Sequence, residues 1–197
     1  MTRLRAAILI SGRGTNMSAI MEAAQQPEYP VDPILVLSNR PDAAGLTYAE
    51  QAGAAAIAID HKPFGKDREA FERAMQDVLL EHKVEMVILA GFMRILTPWF
   101  VSQWEGRMIN IHPSLLPKYP GLHTHQRAID AGDLEAGCSV HWVTEGVDEG
   151  GVIAQARVPI RPDDTAETLA ERVLPAEHSL YPKAVEMAAS QILERSI

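Results

Sequence analysis

Residues 6–16 read Ala6-Ala7-Ile8-Leu9-Ile10-Ser11-Gly12-Arg13-Gly14-Thr15-Asn16, and the architecture starts from them. Five apolar residues in a row, with no alternation, suit a strand buried on both faces. Two glycines then turn the chain, and Thr15 to Ala24 reads as a helix. A strand that feeds a helix through such a turn opens a βαβ unit, whose strands are parallel. The turn is also suited to phosphate. A helix N-terminus offers free N–H groups and partial positive charge, and glycine lets the backbone approach an anion. A tight turn that holds no ligand is the other reading. The motif is not a dinucleotide fingerprint: Met17 stands where the third glycine belongs, and Ser38-Asn39-Arg40 carries no acid for a ribose. No Gly-Lys-Ser/Thr follows, so it is not a Walker loop. A single phosphate on a mononucleotide-like substrate fits better.

Outward from this unit the alternation continues. Val31 to Leu37 reads as a strand and Ala43 to Gln51 as a helix, with Gly53 as its stop. Ala54 to Ile59 is a weak third strand. Asp67 to His82 is an amphipathic helix, with Phe71, Met75, Val78 and Leu79 at helical spacing. Val84 to Ala90 and Met108 to Ile111 are further strands. Ser139 to Thr144 and Val152 to Ile160 are strands joined by a Gly-rich connection, which predicts an antiparallel extension. Thr165 to Val173 is helical and Ala176 begins helix again. Pro175 either starts a new helix or kinks one long helix. The expected fold is α/β: a mostly parallel twisted sheet with helices on both faces and an antiparallel C-terminal extension, Rossmann-like. A single domain over 1–197 is expected, with phosphate binding in about 1–105 and the catalytic groups in about 106–197.

Composition agrees with one compact domain. The chain has 197 residues, 47% hydrophobic and 22% charged, with a net charge of -8. No Lys/Arg run could build a nucleic-acid surface. The single cysteine, Cys138, allows no intrachain disulfide, which fits a reducing cytosol, and it reads as a packing residue. Met1 to Arg5 lead into an apolar run too short for a signal peptide or a membrane span.

Three further stretches carry chemistry. In Asn110-Ile111-His112-Pro113, Asn110 and His112 share one face of a strand that Pro113 ends. An amide donor beside an imidazole suits a reaction that develops an oxyanion and moves a proton. A structural polar pair is the alternative. In Val147-Asp148-Glu149-Gly150-Gly151, Asp148 could bond an imidazole, or the segment is a solvated acidic turn. Nothing in the spacing brings Asp148 to His112. Pro113 to Gly121 contains three prolines and reads as an irregular loop, either a lid or static. His123-Thr124-His125 makes a poor metal site, since no cysteine or acidic ligand stands beside it, and no metal is expected. His61, His82, His141 and His178 read as structural or surface groups.

In this order the motifs resemble the glycinamide ribonucleotide formyltransferases. The matching stretches are Ile10 to Asn16, Leu89 to Leu96, Asn110 to His125, Gly137 to Gly151 and Glu177 to Pro182. The resemblance implies a cytoplasmic enzyme of purine synthesis that moves the formyl group of 10-formyltetrahydrofolate to the amine of glycinamide ribonucleotide. It implies Asn110, His112 and Asp148 as the catalytic trio. The substrate phosphate is then expected on the amides of Gly14, Thr15 and Asn16, and its ribose on Glu177. The folate is expected against Phe92, Met93, Arg94, Ile95 and Leu96, with Asn110, Val143, Glu145 and Val147 beside it and Arg68 at its far end. The implied partners are these two small molecules, with no nucleic acid and no membrane, on a monomer or weak homodimer. Leu174 stands where related enzymes often place a polar or cationic contact to the phosphate, which leaves Arg13 or Lys118 to replace it. The chain also ends soon after its last helix, where some relatives carry a further strand.

Related activities fit less well. Methionyl-tRNA formyltransferases need an RNA-binding surface and more C-terminal length. Formyltetrahydrofolate hydrolases usually carry an N-terminal module, for which the early first strand leaves no room. A non-catalytic nucleotide-binding module would not need Asn110, His112 and Asp148 together.

Overall fold

The computed structural model describes residues 3–195 and contains one seven-stranded sheet. The expected domain bounds, 1 and 197, lie outside the described residues. The strands are β1 (Leu4–Ile10), β2 (Val31–Ser38), β3 (Ala55–Ala58), β4 (Met86–Leu89), β5 (Met108–His112), β6 (Glu135–Trp142) and β7 (Val152–Pro159). Their order across the sheet is β3-β2-β1-β4-β5-β6-β7. The first five strands are parallel; β6 pairs antiparallel with β5, and β7 with β6.

The apolar run of β1 is explained by burial on both faces. Ala6, Ile8 and Ile10 enter one core and Ala7 and Leu9 the other, all without solvent exposure. The first core packs against α1 (Thr15–Ala23), α2 (Ala44–Gln51), α5 (Thr124–Asp130) and α6 (Ala166–Arg195). The second packs against α3 (Arg68–Glu81) and α4 (Pro98–Gln103). Pro33 cannot donate to the ladder, and the β1–β2 register shifts between Ala6 and Ala7, opposite it.

The C-terminal segment is a single helix of 30 residues that contains both Pro175 and Pro182. Its buried face, from Leu169 to Ile192, is packed on the sheet, and the Tyr181 hydroxyl donates to the Leu89 carbonyl at 2.6 Å. Tertiary burial of this kind outweighs the local cost of proline. No helix among the described residues is long and apolar enough to cross a membrane.

Candidate active site

The site lies at the carboxyl ends of the parallel strands, where open α/β sheets bind ligands. Asn110 and His112 both lie on β5, with His112 at its end and half-buried Asn110 one pleat earlier. The antiparallel partner β6 sets His141 opposite Asn110 and Ser139 opposite His112. Asp148 comes from the β6–β7 connection. That connection folds back because Gly150 has no side chain: a Cβ there would stand 1.6 Å from the Trp142 carbonyl oxygen.

The result is a polar cluster in which one carboxylate faces two imidazoles. Asp148 Oδ2 is 3.3 Å from His112 Nδ1, and Oδ1 is 3.5 Å from His141 Nε2. The Gly121 N–H also donates to Asp148, at 2.9 Å. Burial pushes the Asp148 carboxyl up. The His141 hydrogen bond, the Gly121 N–H and the charges of both histidines outweigh it, so the group is held below the usual carboxylate range. His112 Nε2 faces the Tyr119 carbonyl at 2.9 Å. Both neighbours of the His112 ring are acceptors, and imidazolium is the form that donates to both. Asn110 Nδ2 lies 3.3 Å from the same His141 Nε2, so the side-chain amide sits against the His141–Asp148 pair.

His141 is the member that sequence reading missed. It is 2% exposed and its Nδ1 faces the Trp142 carbonyl at 2.9 Å. Only the β5–β6 register reveals it, because that register makes it a cross-strand neighbour of Asn110.

The loop after β5 is tied down along its length. The Ser139 hydroxyl accepts from the Leu116 N–H and donates to the Ser114 carbonyl, and Gln155 donates to the Leu116 carbonyl. Lys118 and the Tyr119 hydroxyl both bond Asp133. Lys118 pairs with Asp133 at 2.8 Å. Arg13 stays on that turn and lines the same cavity as Gly14, Thr15 and Asn16.

Gly14 is the N-cap of α1 in a left-handed conformation, φ 70°, which only glycine adopts freely. No side chain caps this helix, so its first N–H groups are available to an anion. The Asn16 amide donates to Glu177 on α6 at 2.8 Å. Burial raises the Glu177 carboxyl above its usual range, against the Asn16 bond that lowers it. Leu174 stands one turn before Glu177 on the same helix.

A cleft of about 170 Å³ opens beside Asn110, His141 and Asp148. Its walls are Phe92, Arg94, Ile95 and Leu96 on one side and residues 143–147 on the other. Ile95 is 67% exposed and Val147 54%, an unusual display of apolar surface that suits a flat ring. Arg68, at the start of α3, donates to the Ile95 carbonyl at 3.4 Å, beside the cleft. Met93 is not among the residues that line this cleft: its N–H donates to the Ser11 hydroxyl, and it lines the neighbouring cavity with the β1–α1 turn. Cys138 is buried, which pushes its thiol up to about 12 with a contribution from the Glu177 charge, so it packs as an inert group.

Residues 4–185 match the formyl transferase model. The chain belongs to the formyl transferase family. It is 46% identical over 182 residues to phosphoribosylglycinamide formyltransferase of Escherichia coli, covering 92% of this chain and 85% of that one. The crystal structure of phosphoribosylglycinamide formyltransferase from Brucella melitensis superposes with a TM-score of 0.90 at 52% identity, over 95% of this chain and 96% of that one. The trifunctional purine biosynthetic protein adenosine-3 of Drosophila melanogaster is 47% identical over 187 residues, 94% of this chain. The formyl transferase chain spans only 14% of that longer protein's length.

Proposed function

We propose that this protein transfers the formyl group of 10-formyltetrahydrofolate to the amine of glycinamide ribonucleotide, in cytoplasmic purine synthesis. The observation that carries the reading is the cluster of Asn110, His112 and Asp148 beside the cleft, with the open N-terminus of α1 at the same carboxyl edge of the sheet. The names of its relatives support the same activity.

The residues fit both molecules. The apolar walls of the cleft, Phe92, Ile95, Leu96, Val143 and Val147, suit a pterin ring, with Glu145 on the same wall. Arg68 and Arg94 suit carboxylates at its far end. The folate supplies the formyl group on a nitrogen. Amides of Gly14, Thr15 and Asn16 hold the phosphate of the amine substrate, and Glu177 its ribose hydroxyls.

Attack of the amine on the formyl carbon develops negative charge on the formyl oxygen. His112 Nε2 and the side-chain amide of Asn110 are the donors that meet it, and the Tyr119 carbonyl yields its place on Nε2 to the substrate. Asp148 holds the imidazolium through Nδ1. His112 gives its proton to the folate nitrogen as the bond from that nitrogen to the formyl carbon breaks, and the proton shed by the attacking amine restores the imidazolium. Loss of one such donor lowers turnover by about 10²–10³.

The test is deformylation of 10-formyl-5,8-dideazafolate by the purified protein, followed by absorbance with and without glycinamide ribonucleotide. Product formed only with the amine present, and collapse of the rate in His112→Ala, are the expected results. Deformylation without the amine would make the protein a hydrolase. No turnover by folded protein would reject this acceptor.

A further inference from the structure

Ser11 follows the last residue of β1 and precedes Gly12, at the root of the β1–α1 turn. That position makes its hydroxyl a candidate ligand for an anion on the turn, but the hydroxyl is already spent. It accepts from the Met93 N–H at 2.8 Å and donates to Asn39 Oδ1 at 2.5 Å. Ser11 and Asn39 are both buried. A hydroxyl has one proton to give, and here Asn39 holds it. An anion on the turn is met by backbone N–H groups, not by this side chain.

Met93 belongs to the segment that walls the cleft beside Asn110. The chain leaves β4 through Gly91, left-handed at φ 76°, and runs to Thr97 without helix or strand. Phe92, Arg94, Ile95 and Leu96 line the cleft from this segment. Met93 and Ile95 expose most of their side chains, so the segment depends on hydrogen bonds to its backbone as well as on packing. Ser11 holds its start twice, since the Ser11 N–H also donates to the Gly91 carbonyl at 3.1 Å. Glu72 holds its end through the Thr97 N–H. The same network meets the segment again from below. His61 Nδ1 faces the Asn39 carbonyl at 2.9 Å, and the His61 ring stands edge-on to Phe71. The Arg94 guanidinium lies 5.1 Å from the centre of the Phe71 ring.

We propose that Ser11, oriented by Asn39, is a positioning residue for the formyl-folate: it stands at the root of the β1–α1 turn yet acts on the neighbouring cleft, by fixing the backbone that carries Phe92, Arg94, Ile95 and Leu96. The inference rests on the folate reading of that cleft. Without the hydroxyl, the Met93 N–H and Asn39 Oδ1 each lack a partner, and the cost falls on the placement of the wall.

Two measurements on the full chain test it. In hydrogen exchange followed by NMR, the Met93 amide is expected to be protected in the wild type. In Ser11→Ala its exchange is expected to accelerate about tenfold, and by more than that of the Ile8 and Leu9 amides of β1, which separates local release from a general loss of stability. In calorimetry, Ser11→Ala is expected to bind 5,8-dideazafolate about tenfold more weakly. In turnover, its KM for the formyl-folate is expected to rise by a similar factor, with the KM for glycinamide ribonucleotide within about twofold of wild type. Asn39→Ala is expected to weaken folate binding in the same direction, and the double variant by less than the two single effects combined, since both act through one hydroxyl. A Met93 amide unprotected in the wild type overturns the proposal, as does an unchanged folate affinity in Ser11→Ala. A rise confined to the KM for glycinamide ribonucleotide makes Ser11 a ligand of the phosphate and overturns it too. Wild-type protein that binds no 5,8-dideazafolate rejects the folate reading itself, and the proposal falls with it whatever the exchange shows, so the two failures are distinct.

Discussion

Asp148 reaches His112 through a left-handed backbone turn, φ 56° at Asp148 itself, which presents its Oδ2 to the His112 Nδ1 at 3.3 Å. A non-glycine residue in this conformation is strained, and such strain is retained where surrounding contacts over-determine it. Here those contacts are the Gly121 N–H and the His141 ring.

Asp148→Asn keeps the shape and removes the charge. The kcat is expected to fall by about 10²–10⁴ with little change in either KM. The pH dependence has a definite sign. Asp148 has a folded pKa below its unfolded value of about 3.9. Its contribution to stability is therefore complete above the unfolded pKa and is lost as pH falls through the lower folded value. Thermal melts of wild type and variant from pH 7 to pH 3 check this. The gap is expected to hold down to about pH 4 and to close only below it.

Glu177 behaves in the opposite way. Burial raises its carboxyl, so its protonated form favours the fold. The stability it contributes is complete below the unfolded pKa of about 4.3 and is lost as pH rises through the folded value. Glu177→Gln keeps the bond from Asn16 and removes the buried charge. The variant is expected to melt higher than wild type at pH 8, with the difference vanishing near pH 4, and to raise the KM for glycinamide ribonucleotide by about tenfold. Equal melting temperatures at pH 8 would mean that Glu177 is already neutral there.

How much of this is visible in the chain depends on the range of the interactions. The buried strands are legible because β1 meets a core on each face, and a continuous apolar run records that. Helix α3 is legible because its stripe repeats over 14 residues. Helices α4 and α5 are not, at six and seven residues with two buried positions each. The start of β6 at Glu135 instead of Ser139 comes from pairing with β7, where Glu135 meets Pro159. In the site, Asn110 and His112 are local to one strand and can be read from alternation. His141 and the reach of Asp148 depend on strand register and on a loop that folds back, and neither has a periodic signal.

Thr97 ties the cleft beside Asn110 to α3. Its hydroxyl donates to the buried Glu72 carboxylate, its N–H donates to Glu72 at 2.8 Å, and its oxygen caps α4. Thr97→Ala removes a cap and leaves Glu72 short of a donor, a loss of about 1–3 kcal/mol. The melting temperature is expected to fall by roughly 3–10 °C. Arg94, Ile95 and Leu96 precede Thr97 directly, so the KM for the formyl-folate is expected to rise more than that for the amine.

Gly150 separates folding from catalysis. A methyl group there would meet the Trp142 carbonyl at 1.6 Å, a distance no side chain accepts, so in Gly150→Ala the connection between β6 and β7 must move outward. Both strands keep their ladder from Glu135 to Val140, and only partly buried Trp142 and Ile153, at the edge of the first core, stand beside the turn. The strain therefore falls on the loop that carries Asp148. The variant is expected to lose only a few degrees in melting temperature and at least about 10² in kcat, since displacement of a positioned group by about 1 Å costs that much. The His112 ring would lose its Asp148 partner, which the imidazole signals in a proton NMR titration would register. A Gly150→Ala enzyme with normal turnover would mean that Asp148 acts without the placement this turn provides.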